Sequence, residues 1–292
     1  MIVIASKPGQ LANRLFVFAQ FIAMAKENNL SIVNPAFDEY AEYFDSTRSG
    51  FVARYPLPDG RLEKRFSGSS ATRKLFYRLI CDFTRIVVRS RIGLPFIRVI
   101  SLDWKDECRL DEPEFLELAK RTRLIIAQGW LFRASASFPR QGNAIREYFR
   151  PIANVQANVD ALIRAARADR DVLVGVHIRQ GDYRTFQDGR FFFKTEQYTK
   201  LMSRVLTYFA SKKVRFLICS NVKQTDSEFA AFDVVFGTNH LVEDMYAFAQ
   251  CDYLVGPPST YTMWASFYGC KPLWKVNKLD SDIQFDESMF RS

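Results

Sequence analysis

Val172-Leu-Val-Gly-Val-His-Ile-Arg-Gln-Gly-Asp-Tyr183 is the stretch on which the fold turns. A nearly unbroken apolar run that ends in charged and glycine-containing sequence reads as a buried strand opening into a loop. From there to the C-terminus, short apolar runs alternate with helical patterns. Strand Val172–Ile178 leads to a helix over Lys194–Ala210, strand Val214–Cys219 and a short helix near Asp226–Ala231. Strand Val234–Phe236, helix Val242–Gln250, strand Tyr253–Val255, helix Ser259–Tyr268 and strand Pro272–Val276 follow. Such alternation is the pattern of a parallel sheet wrapped by helices. Toward the N-terminus, Ile2–Ala5 reads as a buried strand, followed by the loop Ser6–Gln10, a helix from about Asn13 to Glu27 and strand Leu30–Val33. Arg123–Ala127 is a further strand, and Pro151 precedes a helix over Val155–Ala168. Between them, residues 34–109 are irregular, rich in Phe and Tyr, and punctuated by Pro56, Pro58, Gly60 and Ser67-Gly68-Ser69-Ser70. No internal repeat is visible. The expected organisation is two α/β lobes: residues 1–165, carrying a basic, aromatic-rich insert over about 34–122, and a Rossmann-type lobe over 166–292.

Composition narrows the class. With 292 residues, 48% hydrophobic and 25% charged, the chain can bury a core and stay in solution, which excludes disordered, collagen-like and membrane-spanning proteins. The longest apolar stretch, Leu15–Ala25, is broken by Gln20 and reaches about half of what a bilayer requires. The opening Met-Ile-Val-Ile-Ala-Ser is strand-like and lacks the basic segment and cleavage site of a secretory leader, so a cytoplasmic protein is expected. Five scattered cysteines without a CxxC spacing and only two histidines, His177 and His240, leave little for a zinc site. Aromatic content of 15%, with 27 Phe, suits stacking sites or an apolar docking face.

The net charge is 41 − 32 = +9, which points to an anionic partner. Most of the excess lies between Arg61 and Leu110, where twelve Lys or Arg stand against five Asp or Glu. Within that segment Leu75, Phe76, Leu79, Ile80, Phe83, Ile86 and Val87 fall on one helical face and Lys74, Arg78, Arg85 and Arg89 on another. A basic amphipathic helix of this kind can lie on an anionic membrane surface or receive a phosphate-bearing partner. An ordinary surface helix with its apolar stripe on the core is the other reading. No zinc-finger, RRM or helix-turn-helix signature supports nucleic acid as the partner.

Ligands of an open parallel sheet sit in the crevice beyond the carboxyl ends of its strands. Four strand-to-helix loops here carry suitable groups: Gly9-Gln-Leu-Ala-Asn-Arg14, His177-Ile-Arg-Gln-Gly-Asp-Tyr183, Ser220-Asn221 and Gly256-Pro-Pro-Ser-Thr-Tyr261. His177 and Arg179 alternate to the same side of their strand and can reach one ligand. The planar fork of Arg179 suits phosphate oxygens, though an ion pair with Asp182 that fixes the turn is an equal reading. Ser259 and Thr260, with the backbone N–H groups behind them, can hold phosphate at the positive end of a helix. The same pair also reads as a simple N-cap, worth about 1 kcal/mol. There is no Walker A sequence and no GxGxxG after a strand, which argues against P-loop and dinucleotide enzymes. Asp280-Ser281-Asp282 reads as a solvated pair in a polar tail, and no metal is expected.

Together these loops resemble a known set. Val174-Gly-Val-His-Ile-Arg-Gln-Gly-Asp-Tyr183 is similar to the HxRxGDY motif of the bacterial alpha-1,2-fucosyltransferases, glycosyltransferase family 11, within the broader GDP-fucose fucosyltransferase superfamily. Gly9-Gln-Leu-Ala-Asn-Arg-Leu-Phe16 resembles the family's G-x-L-x-N-x-x-F segment, and Phe216-Leu-Ile-Cys-Ser-Asn221 its strand ending in Ser-Asp. Asp244–Val255 resembles its helix–strand unit D-x-x-x-M-x-x-C-x-x-x-I, and Ser259–Gly269 its S-S-F-S-W-W-G-A-x-L block. Residues 34–122 show no such likeness. Asn221 stands where the family has Asp, Gln180 where Arg is common, and Pro257-Pro258 and Tyr261-Thr262-Met263 depart from the last motif.

The resemblance implies a GT-B-like fold, two facing Rossmann-type lobes with parallel sheets, the C-terminal one holding the nucleotide sugar and the N-terminal one the acceptor. It implies inverting, metal-independent transfer of fucose from GDP-fucose to a hydroxyl of an oligosaccharide or lipid-linked glycan, in surface polysaccharide or lipopolysaccharide synthesis. Arg179 would hold the β-phosphate and His177 would sit near the nucleotide. Asp244 would face guanine, Ser259 and Thr260 would cradle the diphosphate, and Ser220 would belong to the donor site. Asn13 would approach the sugar from the other lobe. Asp182 is the base candidate for the acceptor hydroxyl. Placement in the cytoplasm, at the inner face of the plasma membrane, fits the basic segment. The rival readings are a transferase of another nucleotide sugar and a non-catalytic carbohydrate- or nucleic-acid-binding protein.

Overall fold

Strands buried on both faces must be apolar throughout, and the short run Ile2–Ile4 meets that condition at the centre of the first sheet. The computed structural model describes residues 1–58, 68–90 and 96–290 of the chain. They fold as two units, Met1–Ile152 and Ala153–Ser292. The parts of the basic segment at 59–67 and 91–95 lie outside the described residues.

In the first unit β1 (Ile2–Ile4), α1 (Leu11–Asn28), β2 (Ile32–Asn34), β3 (Ala53–Tyr55), α2 (Ser70–Ser90) and β4 (Ile97–Ser101) are followed by β5 (Cys108–Arg109), α3 (Pro113–Arg121), β6 (Leu124–Gln128) and β7 (Phe132–Arg133). The sheet runs β3-β2-β1-β6-β4, parallel except for β3, with Ile2 opposite both Ile32 and Ile125. Helix α1 is apolar nearly all round and is accordingly buried from Leu11 to Ala25 apart from Asn13 and Arg14. It stops at Asn29, whose left-handed φ of 52° lets its N–H close on Ala25. Against it pack Phe37, Tyr148 and Phe149, with ring centroids 5.4 to 5.8 Å from Phe18. Much of the Phe excess therefore fills this core, rather than the stacking sites or docking face suggested by composition. Buried Gln20 is satisfied by the Ala134 N–H at 2.6 Å.

The basic, aromatic-rich insert over about 34–122 contains β3, α2, β4, β5 and α3. Strand β3 is only three residues long, and β4 is half-exposed at the sheet edge. Helix α3 begins with Pro113 at its first turn, where a proline loses no hydrogen bond.

The second unit contains α4 (Ala153–Arg167), β8 (Val172–Ile178), α5 (Thr195–Tyr208), β9 (Val214–Ser220), β10 (Val234–Phe236), α6 (Leu241–Phe248), β11 (Tyr253–Gly256), α7 (Thr260–Gly269) and β12 (Leu273–Lys275). Helix α4 belongs here rather than mostly in the first lobe, so the division falls at Ile152 instead of residue 165. The reason is its bonding: Asn158 donates to Glu243 at 2.6 Å, and Arg167 forms a bidentate pair with Asp252 at 2.8 and 2.9 Å. The sheet is parallel throughout, in the order β10-β9-β8-β11-β12. Val172, Val174, Val176 and Ile178 point one way, into a core with Phe216, Ile218, Tyr198 and Leu201. The opposite face carries Gly175, where a Cβ would lie 2.7 Å from a Phe248 ring carbon. The chain winds outward from β8 to β10 and then crosses to β11 on the other side. The carboxyl ends of β8 and β11 thus form the topological switch point, the place where such sheets bind ligands.

Candidate functional site

Two residue sets meet at that switch point. The first leaves β8. Arg179 donates from Nε and Nη2 to the two carboxylate oxygens of Asp182, at 2.9 and 2.7 Å. Its backbone N–H reaches the Tyr198 hydroxyl at 3.2 Å, and its guanidinium lies 5.2 Å from the Tyr183 ring centroid. Burial alone would lower the Arg179 pKa, but the bond and charge of Asp182 outweigh it and raise it. The same hydrogen bond holds the Asp182 carboxyl below the ordinary aspartate range. Asp182, the base candidate, is therefore engaged in the ion pair that was its alternative reading.

The second set leaves β11. The Ser259 hydroxyl accepts the Tyr261 N–H at 3.2 Å and so caps α7, with Thr260 beside it as the first helical residue. Tyr183 ties the two sets together, since its hydroxyl donates to the Pro258 carbonyl at 2.6 Å while its ring lies beside Arg179. His177 and Tyr261 also meet, with ring centroids 5.0 Å apart.

His177 is buried, and its Nδ1 has no hydrogen-bond partner among the described residues. Burial, reinforced by the Arg179 charge, pulls the imidazole down to about 3, so the ring is neutral near pH 7. The consequence for stability has a definite sign. In the unfolded chain the group titrates near its ordinary value of about 6.5. Its contribution is complete above that pH and is lost as pH falls toward 3, at about 1.4 kcal/mol per pH unit. Urea midpoints of the native protein are expected to drop between pH 6.5 and 4.5 more steeply than those of His177→Gln. Parallel slopes for the two proteins would contradict this.

Ser220, the last residue of β9, accepts from the Val222 N–H and the Gln224 amide at 3.1 and 3.2 Å, which shapes its own loop. Asn221 accepts the Gln180 N–H at 2.9 Å and donates to Asp182 at 3.2 Å. An aspartate there would have no proton to donate and would repel Asp182, so the departure from the family pattern is matched to its surroundings. Asp244 is buried in the first turn of α6. Its Oδ1 accepts from the Thr238 N–H at 2.7 Å and hydroxyl at 3.3 Å, and burial raises its pKa in spite of those bonds. The carboxylate thus anchors the loop after β10 in this state.

Asn13 lies in the first unit, over Gly9. A Cβ on Gly9, whose φ is +52°, would fall 2.0 Å from the Asn13 amide nitrogen. Arg179, Asp182, His177, Ser259 and Thr260 cluster at the switch point, Ser220 and Asp244 lie on the flanking β9 and β10 side, and Asn13 belongs to the other unit. Tyr261 and Tyr198 were not among the expected site residues. Tyr261 follows the Ser-Thr pair directly and sends its hydroxyl to the Leu241 carbonyl at 3.0 Å, joining the starts of α6 and α7. Its position one residue past a helix-initiating pair was the available signal. Tyr198 had none, being one aromatic among many. Among the described residues no group of three or more His, Cys, Asp or Glu is placed to hold a metal ion.

No family model matches the chain, and no curated protein matches it in sequence. Solved structures do match. A mutant of Arabidopsis thaliana FUT1 in complex with GDP is 12% identical at a TM-score of 0.58, over 94% of this chain and 70% of that one. NodZ alpha-1,6-fucosyltransferase soaked with GDP-fucose is 16% identical at a TM-score of 0.54, over 94% of each chain; a further NodZ structure is from Bradyrhizobium. POFUT1 in complex with GDP-fucose is 11% identical at a TM-score of 0.52, over 91% of this chain and 93% of that one. The chain therefore has the α/β, GT-B-like fold of these fucosyltransferases.

Proposed function

We propose that the protein is an inverting, metal-independent glycosyltransferase that moves fucose from GDP-fucose to a hydroxyl of a glycan acceptor. In this reading it resembles the alpha-1,2-fucosyltransferases and acts in the cytoplasm, in surface polysaccharide or lipopolysaccharide synthesis. One observation carries the reading: Arg179 and the Ser259-capped start of α7 leave adjacent strands at a topological switch point and are joined through Tyr183. A cation beside a helix N-terminus suits a diphosphate. The neighbouring solved structures of NodZ and POFUT1 with GDP-fucose, and of FUT1 with GDP, support guanosine diphosphate as that group.

Inverting transfer passes through an oxocarbenium-like state in which negative charge builds on the departing diphosphate. Asp182 occupies one edge of the Arg179 fork, through Nε and Nη2. The Nη1 edge remains for phosphate oxygens, and electrostatic stabilisation there requires no reorganisation as charge develops. The unpartnered Nδ1 of His177 gains a ligand partner when the donor binds. Ser259 and Thr260 present the helix end, Ser220 lines the β9 side, and Asp244 keeps the guanine-side loop in place.

The pairing makes Asp182 a weak proton acceptor, so we assign it to orienting Arg179. Asp182→Asn is expected to raise the donor KM about tenfold, change kcat less than about threefold and leave the acid limb of the pH profile intact. A general base typically contributes about 10² to 10⁴ in rate. A kcat loss of that size with a flattened profile would give Asp182 the base role instead.

Thermal unfolding with GDP-fucose, GDP-mannose and UDP-glucose, followed by assay of GDP release, tests the function. Ligand at a hundred times Kd adds about 2.7 kcal/mol, or a rise of about 4 °C in Tm for a chain of this size. GDP-fucose is expected to produce that rise and to be hydrolysed slowly, with UDP-glucose inert. A Tm indifferent to every nucleotide sugar would overturn the proposal.

A further inference from the structure

The amphipathic arc of α2 is wider than the core needs. At about 100° per residue its apolar side chains span roughly 140° of the helix. One side of that arc is taken up by the protein. Ile80 packs against Val3, Ala5 and Ile126 of the sheet, and the Phe76 ring sits 5.0 Å from that of Phe51. Thr84 and Arg73 are buried on the same side, Arg73 donating to the Gly50 carbonyl at 3.1 Å. The other side is bare. Leu75, Leu79, Phe83 and Ile86 follow one another along the helix and are 57%, 56%, 40% and 64% exposed. The core thus takes part of the stripe and leaves the rest facing solvent.

Along the solvent edge of this bare stripe runs a row of exposed cations, Lys74, Arg78, Arg85 and Arg89. The one acid in the helix, Asp82, is paired with Arg85 at 2.6 Å. Five basic residues against one acid leave α2 with a net +4 over 21 residues. Contiguous large apolar side chains exposed on a monomer mark an interaction surface. We propose that this face of α2 docks on an anionic lipid bilayer, the Leu and Phe stripe entering the headgroup boundary and the cationic row lying against acidic lipid. The charge pattern selects that partner. A row of cations bordering an apolar stripe matches an interface that is apolar below and negatively charged above. A second copy of the chain would set one such row near another with no free acid in the helix to meet it. This surface lies on the first unit, and the proposal does not depend on the donor chemistry of the second.

Vesicle flotation with the full chain tests it. The protein is expected to float with vesicles of 30% phosphatidylserine in phosphatidylcholine at 50 mM NaCl, at least tenfold more than with phosphatidylcholine alone. Binding should be lost at 0.5 M NaCl, where screening is short-ranged. The double variant Leu79→Ser and Phe83→Ser keeps every charge and alters only exposed positions. It is expected to retain the Tm and nucleotide response of the native protein while floating at least tenfold less. Three outcomes would overturn the proposal: native protein that stays in the soluble fraction at low salt, a double variant that floats as well as the native protein, or light scattering that shows a native dimer which the variant splits.

Discussion

Arg179→Ala is expected to lower kcat for transfer at least 10³-fold while the protein remains folded. Loss of a single oxyanion donor in enzymes costs about 10² to 10³, and this substitution removes a full charge as well as the donors proposed to face the diphosphate. Arg179 is not a core residue; the groups that its removal exposes, Asp182 and the Tyr183 ring, can be hydrated. Arg179→Lys is expected to recover only part of the loss, because an ammonium cannot serve Asp182 and phosphate from two edges of one plane. Ser259→Ala should cost far less, roughly five- to tenfold, equivalent to about 1 kcal/mol for one N-cap bond. Steady-state rates of GDP release from GDP-fucose check the series. Near-native turnover by Arg179→Ala would remove the leaving-group role.

Gly269→Ala is expected to destabilise the protein by about 3 kcal/mol or more, the upper end of what overpacking costs. Helix α7 ends against the end of α6, and a Cβ at position 269 would lie 1.9 Å from the Ala249 carbonyl oxygen and 2.6 Å from its carbon. Backbone atoms cannot rotate aside as a side chain can. The collision must separate two helices whose Tyr246 and Tyr268 rings pack edge-to-face at 4.5 Å. Because α7 also carries the Ser259 cap, weaker nucleotide binding should accompany the loss. Urea unfolding measures the effect, and a stability within about 0.5 kcal/mol of native would contradict the close crossing.

The second unit was legible because its physics is local. Val172–Ile178 matches the observed β8, and the strands Val214–Ser220 and Tyr253–Gly256 extend the expected ones by a single residue. Parallel central strands are continuous apolar runs, and glycine, serine and proline mark where they end. The polar residues at the end of β8 and in the loops that follow these strands stood out by position, so His177, Arg179, Asp182 and Ser259 could be named as candidates. What those side chains do to one another could not. The ion pair of Arg179 with Asp182, the burial of His177 and the hold of Asp244 on Thr238 depend on rotamers and neighbours from distant segments. In the first unit the obstacle was different. Elements such as Ala53–Tyr55 are too short for periodicity to register, and the single stripe on α2 serves core and solvent at once, which a helical wheel cannot separate.

Calorimetric titration of GDP and GMP into the native protein and Arg179→Ala tests the diphosphate grip most directly, because the two nucleotides differ only in the β-phosphate. The native protein is expected to bind GDP at least 50-fold more tightly than GMP, and the variant to bind the two within about threefold of each other. Equal affinities in the native protein, or a preference for GDP that survives in Arg179→Ala, would show that this guanidinium does not hold the departing phosphate.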